Sequence, residues 1–166
     1  MQLQSIAGVV PPSVSEATIM MVWPSMAATA PGRLLGRLAG ISAGVGPVTV
    51  GRVLALLSMP IAAMLYFSMR LPWAIRRYRL TNRRVTIDRG IQGAIQQFVD
   101  LDRFDRIEIE QRPGQEWYPA GDLIFFKGPV ETLRLAGVSR PEGFRQACLK
   151  VRQSYLSVGS LMAETA

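Results

Sequence analysis

The residue types that most often carry out chemistry are scarce in this sequence. It contains no histidine and a single cysteine, Cys148. These absences exclude an intrachain disulfide, a zinc site built on histidine or paired cysteines, and any catalytic triad that needs an imidazole. The glycines at positions 44, 46 and 51 do not make a phosphate-binding loop, because no Lys-Ser or Lys-Thr pair follows them.

Three carboxylates form the one cluster with the composition of a metal site. Asp100, Asp102 and Asp105 lie close together in sequence and could offer oxygen ligands to a hard cation. Arg103 and Arg106 lie among them, so pairing of solvated charges is the favoured interpretation, with a carboxylate metal site as the alternative. We therefore predict a protein that is not an enzyme and has neither a catalytic residue, a metal nor a cofactor.

The positive charge of the chain is concentrated in one short segment. The formal net charge is +7, and residues 70–90 hold seven arginines against one aspartate. A nucleic-acid-binding domain usually spreads its charge over a face, so no nucleic-acid partner is predicted. Near an anionic lipid surface each arginine contributes about 1 kcal/mol to membrane binding. The alternative role of these residues is to keep the following domain in the cytoplasm. The candidate lipid contacts, here called the arginine cluster, are Arg76, Arg77, Arg79, Arg83 and Arg84.

An uncharged run precedes the arginine cluster. Residues 53–69 would form a helix about 26 Å long, and Arg52 and Arg70 can extend it to the roughly 30 Å of a hydrocarbon core. Pro60 should kink the helix, which bilayers tolerate, and Trp73 follows where interfacial aromatics belong. We predict a transmembrane helix over 51–72 that makes the protein single-pass in a membrane, with the C-terminal domain in the cytoplasm.

The region before this anchor carries a pattern of small residues. Gly32, Gly36, Gly40 and Gly44 recur every four residues and would form a helix-packing face that lets another backbone approach closely. We predict a Gly-rich interfacial or re-entrant helix over 32–50, packed on the anchor; a glycine-rich loop is the alternative. Residues 1–31 are predicted to be loosely ordered, apart from a short strand at 18–23.

The hydrophobic period changes to two after position 78. Alternating apolar residues such as Ile107 and Ile109 predict several short antiparallel strands. The period then becomes helical, with Phe144, Cys148 and Val151 on one face of a predicted helix over 140–156. The fold class is therefore mainly β with a C-terminal α-helix, over 73–157, followed by a flexible tail at 158–166.

An aromatic pair marks a second candidate binding site. Trp117 and Tyr118 lie in a turn rich in proline and glycine, where they could enter the membrane interface or contact a partner. The alternative is that both residues fold back over one end of the β domain.

A motif directly after the apolar run resembles the signature of the bacterial pleckstrin-homology-like family of membrane proteins. The family pattern Y-x-L-T-N-x-R is matched by Tyr78, Leu80, Thr81, Asn82 and Arg84. Segment 121–126 looks like the penultimate strand of the family's domain, and segment 137–142 looks like the start of its closing helix. The resemblance implies an antiparallel β-barrel or sandwich closed by a helix, and it implies no activity. Tyr78, Thr81 and Asn82 are interpreted as structural.

The resulting functional prediction is a non-catalytic, membrane-anchored scaffold at the cytoplasmic membrane surface. Its partners would be the lipid bilayer and a protein, either another chain or a second copy of this one. The alternative function is binding of anionic lipid headgroups through the arginine cluster.

Overall fold

The computed structural model describes residues 16–45, 48–69, 71–72 and 74–164. These residues form nine strands and four α-helices. Arg70, Trp73 and residues 1–15 lie outside the described residues, and so do the predictions made for them. The strands are β1 (Thr18–Val22), β2 (Gly44–Val45), β3 (Val48–Thr49), β4 (Arg76–Thr81), β5 (Arg84–Arg89), β6 (Ala94–Asp100), β7 (Arg106–Glu110), β8 (Ala120–Lys127) and β9 (Val130–Ser139). The helices are α1 (Ala30–Ala39), α2 (Val50–Leu57), α3 (Met59–Met69) and α4 (Pro141–Glu164).

Two antiparallel sheets and α4 enclose the core. The first sheet has the order β1-β4-β5-β6 and the second the order β7-β8-β9, with β2 and β3 as a separate small ribbon. Phe104 and Phe125 meet edge to face at 5.0 Å between ring centroids, and α4 adds Phe144 and Cys148 to the same buried cluster. The predicted mainly β fold with a closing helix is confirmed.

The first strand of the sandwich lies before the helices in sequence. β1 pairs with β4, with Met20 opposite Leu80 and Val22 opposite Tyr78, and Ser25 N–H then donates to the Gly137 carbonyl of β9 at 2.8 Å. The prediction that 18–23 is a strand is confirmed. The predicted start of the β domain at 73 leaves this strand out, whereas the structure includes it in the first sheet, because pairing with β4 is a long-range contact that local sequence does not reveal.

The predicted anchor over 51–72 is two helices and not one. α2 and α3 are bent by 54° at a break at Ser58. Pro60 explains the break, since it has no N–H to bond to the Leu56 carbonyl and its ring crowds the preceding turn. No single helix among the described residues is long and apolar enough to cross a membrane, whereas the bent pair passes that test by length and composition.

The pairing of β1 with β4 constrains the path of this helical segment. Both strands are hydrogen-bonded neighbours in one sheet, so the chain leaves the sandwich before α1 and returns to the same sandwich after α3. A segment that crossed a bilayer once would leave its two flanks on opposite sides. The predicted single-pass topology is therefore incompatible with the fold.

Two further boundaries differ from the sequence prediction. The helix expected over 32–50 ends at Ala39, with Gly40 as its C-cap, because Gly44, Gly46 and Pro47 all oppose helix continuation. Gly44 lies in β2 and not on the helix. α4 continues through most of the predicted tail to Glu164, since no proline follows Tyr155 and a glycine in a helix costs only about 1 kcal/mol.

Candidate lipid and protein interface

The structure separates the five arginines of the predicted cluster. Arg76 begins β4, whereas Arg83 and Arg84 lie at the turn into β5, about 20 Å away at 3.3 Å per residue. Arg77 donates to the carbonyls of Gly90 and Ile91, both at 3.1 Å. The cluster is therefore not one continuous basic patch.

Two more of these arginines are engaged by acidic partners. Arg79 forms an ion pair with the buried Asp88, with 2.9 Å between Nε and Oδ2. Arg84 makes a two-pronged contact with Glu16, in which its Nε is 2.8 Å from Oε1. The Arg84 hydrogen bond lowers the pKa of Glu16 to about 2. These ion pairs stabilise the sandwich. Arg76 is the member of the cluster that lines a cavity together with α3.

The signature motif fastens the strand that precedes the helices. Asn82 accepts a hydrogen bond from Ala17 N–H at 3.0 Å through its side chain, and Thr81 donates to Glu16 at 3.0 Å. Tyr78 donates to the Ala136 carbonyl of β9 at 2.8 Å, and burial raises its pKa to about 12. These contacts agree with the interpretation of Tyr78, Thr81 and Asn82 as structural.

The glycines of α1 face the 3-10 turn Met26–Ala28 and the loop between β7 and β8, while the C-terminal end of α1 packs on the predicted anchor at Gly51 of α2, as the sequence predicted. A Cβ on Gly32 would lie 2.0 Å from the Met26 carbonyl oxygen, and one on Gly36 would lie 2.1 Å from the Gly114 carbonyl oxygen. Gly40 has more room, with its nearest such contact at 3.3 Å within α1 itself. Sequence spacing found the face, but it could not identify the loop between β7 and β8 as its partner.

The aromatic pair divides between two environments. Tyr118 lies beside α1, where its ring would be 2.9 Å from a Cβ on Gly36, and burial raises its pKa. Trp117 is half exposed. Tyr118 thus helps to hold α1, and Trp117 is the member of the pair with a surface available to a partner.

A buried polar network, which the sequence analysis missed, holds the 3-10 turn Met26–Ala28 near the second sheet. Gln115 donates to Asp122 at 2.6 Å and lies 3.5 Å from the Ala27 carbonyl. Asp122 also accepts from Gly137 N–H at 2.8 Å and lies 3.1 Å from Arg112 Nε. Gln115 and Asp122 are both fully buried. No local pattern signalled them, because each partner comes from a different element.

The helix pair α2–α3 presents a broad apolar surface. Leu57 and Met64 are 71% and 76% exposed. Proteins in water rarely expose several large apolar side chains on one element, because large apolar patches are usually covered by a partner or a membrane. The same helices also expose Val53, Leu56, Met59, Ile61 and Phe67. A surface of this kind is suited to a bilayer or to another protein.

The three aspartates, for which a carboxylate metal site was the alternative interpretation, lie in different environments. Asp105 accepts from Gly128 N–H at 2.8 Å, which lowers its pKa, while Asp100 lies 4.0 Å from Arg103. The described residues contain no group of three or more histidines, cysteines or acidic side chains arranged to hold a metal. Charge pairing is therefore seen at Asp100, whereas Asp105 is held by a backbone amide.

The two antiparallel sheets and the closing helix define a PH-like sandwich, a class of module that generally binds lipids or proteins. The family model for the bacterial PH domain matches residues 25–152, and the chain belongs to that family. The family is generally non-catalytic and often membrane-associated. No curated protein and no solved structure matches the chain.

Proposed function

We propose that this protein is a non-catalytic interaction module held on the cytoplasmic face of a membrane, with α2 and α3 inserted into one leaflet and the sandwich outside it. The observation that carries the proposal is the exposed apolar surface of α2–α3, whose two ends return to one sandwich. The two helices contain 8 and 11 residues, about 12 and 16 Å at 1.5 Å per residue. One leaflet is about 15 Å deep, half of a hydrocarbon core roughly 30 Å thick, so α2 fits within it and α3 fits when it is tilted.

The distribution of arginines supports the cytoplasmic side. In this arrangement the two flanks of the helical segment lie on one side of the membrane. The positive charges of both flanks, Arg33 and Arg37 before the helices and the arginine cluster after them, therefore favour the same orientation. Positively charged flanks are retained in the cytoplasm.

Attachment can be tested with the full chain and membrane flotation. The double variant Leu57→Lys/Met64→Lys should release the protein from neutral vesicles, because both side chains would have to carry charge into the hydrocarbon. The matched control Ile91→Lys/Ile95→Lys changes two exposed apolar residues of the sandwich and should stay attached. Equal flotation of both variants would contradict the proposal.

The re-entrant path has a separate test by thiol labelling. Cys148 is buried, so a cysteine introduced at an exposed position can be read alone. Ile19→Cys reports on the flank before the helices and Asp102→Cys on the domain after them. A membrane-impermeant maleimide should modify both in inverted vesicles and neither in intact spheroplasts. Labelling of the two positions from opposite sides would refute the shared side.

A scaffold role, with a second copy of the chain as the partner, is favoured by the exposed edge of the first sheet. β6 is an end strand, and its residues Ala94–Phe98 are exposed and uncharged. Edge strands offer unpaired backbone groups to an added strand, and two such edges can pair without like charges meeting. Light scattering in mild detergent should show a defined oligomer that Phe98→Lys dissociates. A monomer, or an oligomer unaffected by Phe98→Lys, would argue against this role.

A further inference from the structure

A cavity of about 510 Å³ lies where α3 meets the sandwich. Leu65, Tyr66 and Ser68 of α3 form one wall. The opposite wall contains Trp23 and the turn that follows it, together with the ends of β4 and β5. The cavity therefore adjoins the proposed membrane element on one side and the PH-like domain on the other.

Two arginines on adjacent strands line this cavity. Arg76 of β4 lies directly opposite Arg89 of β5, and both line the cavity and are exposed. Alternation along the strands places them on the same face as the buried Tyr78 and Ile87, at the end of the sandwich where the core stops. A guanidinium group offers five N–H donors, so two that line one cavity can both donate to a phosphate bound between them.

A neutral polar residue, Ser25, also lines the cavity. The Ser25 hydroxyl is buried without a hydrogen-bond partner in the part of the chain that the structure describes, although its backbone N–H is satisfied by Gly137. A buried hydroxyl without a partner is costly, and phosphate oxygens are strong acceptors for such a donor. Two guanidinium groups and one buried hydroxyl match the donor requirements of a phosphate.

We propose that this cavity binds the phosphate headgroup of an anionic phospholipid drawn from the leaflet that contains α3. The ligand is a lipid and not a free phosphate, because the α3 wall is apolar at Leu65 and continues into the exposed side chains of Met64 and Phe67. Acyl chains can lie along these residues while the phosphate contacts Arg76 and Arg89. This inference rests on the proposed membrane insertion of α2 and α3.

Calorimetric titration of the full chain in a neutral detergent tests the site. The ligands are dihexanoylphosphatidic acid, dihexanoylphosphatidylcholine and inorganic phosphate. Phosphatidic acid should bind at least tenfold more tightly than either of the others. Arg76→Gln/Arg89→Gln should weaken its binding by roughly tenfold or more, since charge-assisted hydrogen bonds to phosphate are lost. Ser25→Ala, which keeps every charge, should weaken it by about threefold or more.

The control Arg83→Gln/Arg103→Gln removes the same two charges from exposed positions outside the cavity and should bind within twofold of the unaltered chain. Equal affinity of the two double variants would overturn the site, as would equal affinity for phosphatidylcholine. Inorganic phosphate binding as tightly as phosphatidic acid would overturn the lipid assignment. Flotation on neutral vesicles does not depend on the cavity, so a failure of the anchoring proposal would be recognised separately from a failure of this one.

Discussion

The glycines of α1 allow a sharp test of how the helical segment is attached. In Gly36→Ala the new methyl would lie 2.1 Å from the Gly114 carbonyl oxygen and 2.9 Å from the Tyr118 ring. Ordinary contact begins near 3.4 Å, so α1 must move away from the loop between β7 and β8 by about 1 Å. Overpacking of this kind costs about 1–3 kcal/mol.

Gly40→Ala is the matched control, since it makes the same chemical change four residues later. Its methyl would meet a carbonyl oxygen at 3.3 Å within α1, and Gly40 has the ordinary right-handed dihedrals φ −77° and ψ −4°. Replacing a glycine by alanine at such a position stabilises a protein by about 0.4–1 kcal/mol, because it lowers the conformational entropy of the unfolded chain. Gly36→Ala should therefore lower the stability of the protein, whereas Gly40→Ala should not.

Thermal unfolding of the full chain in a fixed neutral detergent measures the contrast. At about 2–4 °C per kcal/mol for a chain of this size, Gly36→Ala should lower the unfolding midpoint by roughly 2–12 °C, whereas Gly40→Ala should leave it unchanged or raise it slightly. Equal midpoints for the two variants would refute the docking of α1 on the sandwich. The sequence-based alternative, in which these glycines face the anchor helices, would then regain its support.

Three further outcomes follow from the buried and paired groups. Asp122→Asn should destabilise the sandwich by about 1–3 kcal/mol in denaturant titration, because it weakens the hydrogen bonds of a buried carboxylate and its pairing with the partly exposed Arg112, whereas the exposed Asp102→Asn should have little effect. Glu16 has a pKa lowered from 4.5 to about 2, so its contribution to folding stability is fully present above pH 4.5 and is lost as the pH falls towards 2. The unaltered chain should be more stable than Glu16→Gln by about 1 kcal/mol at pH 7 after solvent screening, and this difference should vanish as the pH falls through that window. A difference that stays constant with pH would contradict the pairing with Arg84. Burial raises the pKa of Cys148, so iodoacetamide should modify this thiol at the rate of unfolding, and fast modification of the folded chain would show that α4 is not closed over the sheets.

Local patterns determined most of the β domain. Alternation at Ile107 and Ile109 predicted a strand that the structure contains as β7, and the helical spacing of Phe144 and Cys148 correctly gave the buried face of α4. These predictions succeeded because the period of a strand or a helix is written in neighbouring residues. The signature from Tyr78 to Arg84 likewise indicated the family that the comparison confirms.

Tertiary structure alone decided how the parts are joined. The pairing of β1 with β4 spans more than fifty residues, and nothing in the sequence at 18–22 identifies its neighbour. That one contact changes a single-pass anchor into a segment that returns to its own domain. It also divides the arginine cluster, because Glu16, which binds Arg84, arrives with β1. Side-chain types and periods are properties of short segments, whereas partners across a sheet depend on which distant segments bury their apolar faces together.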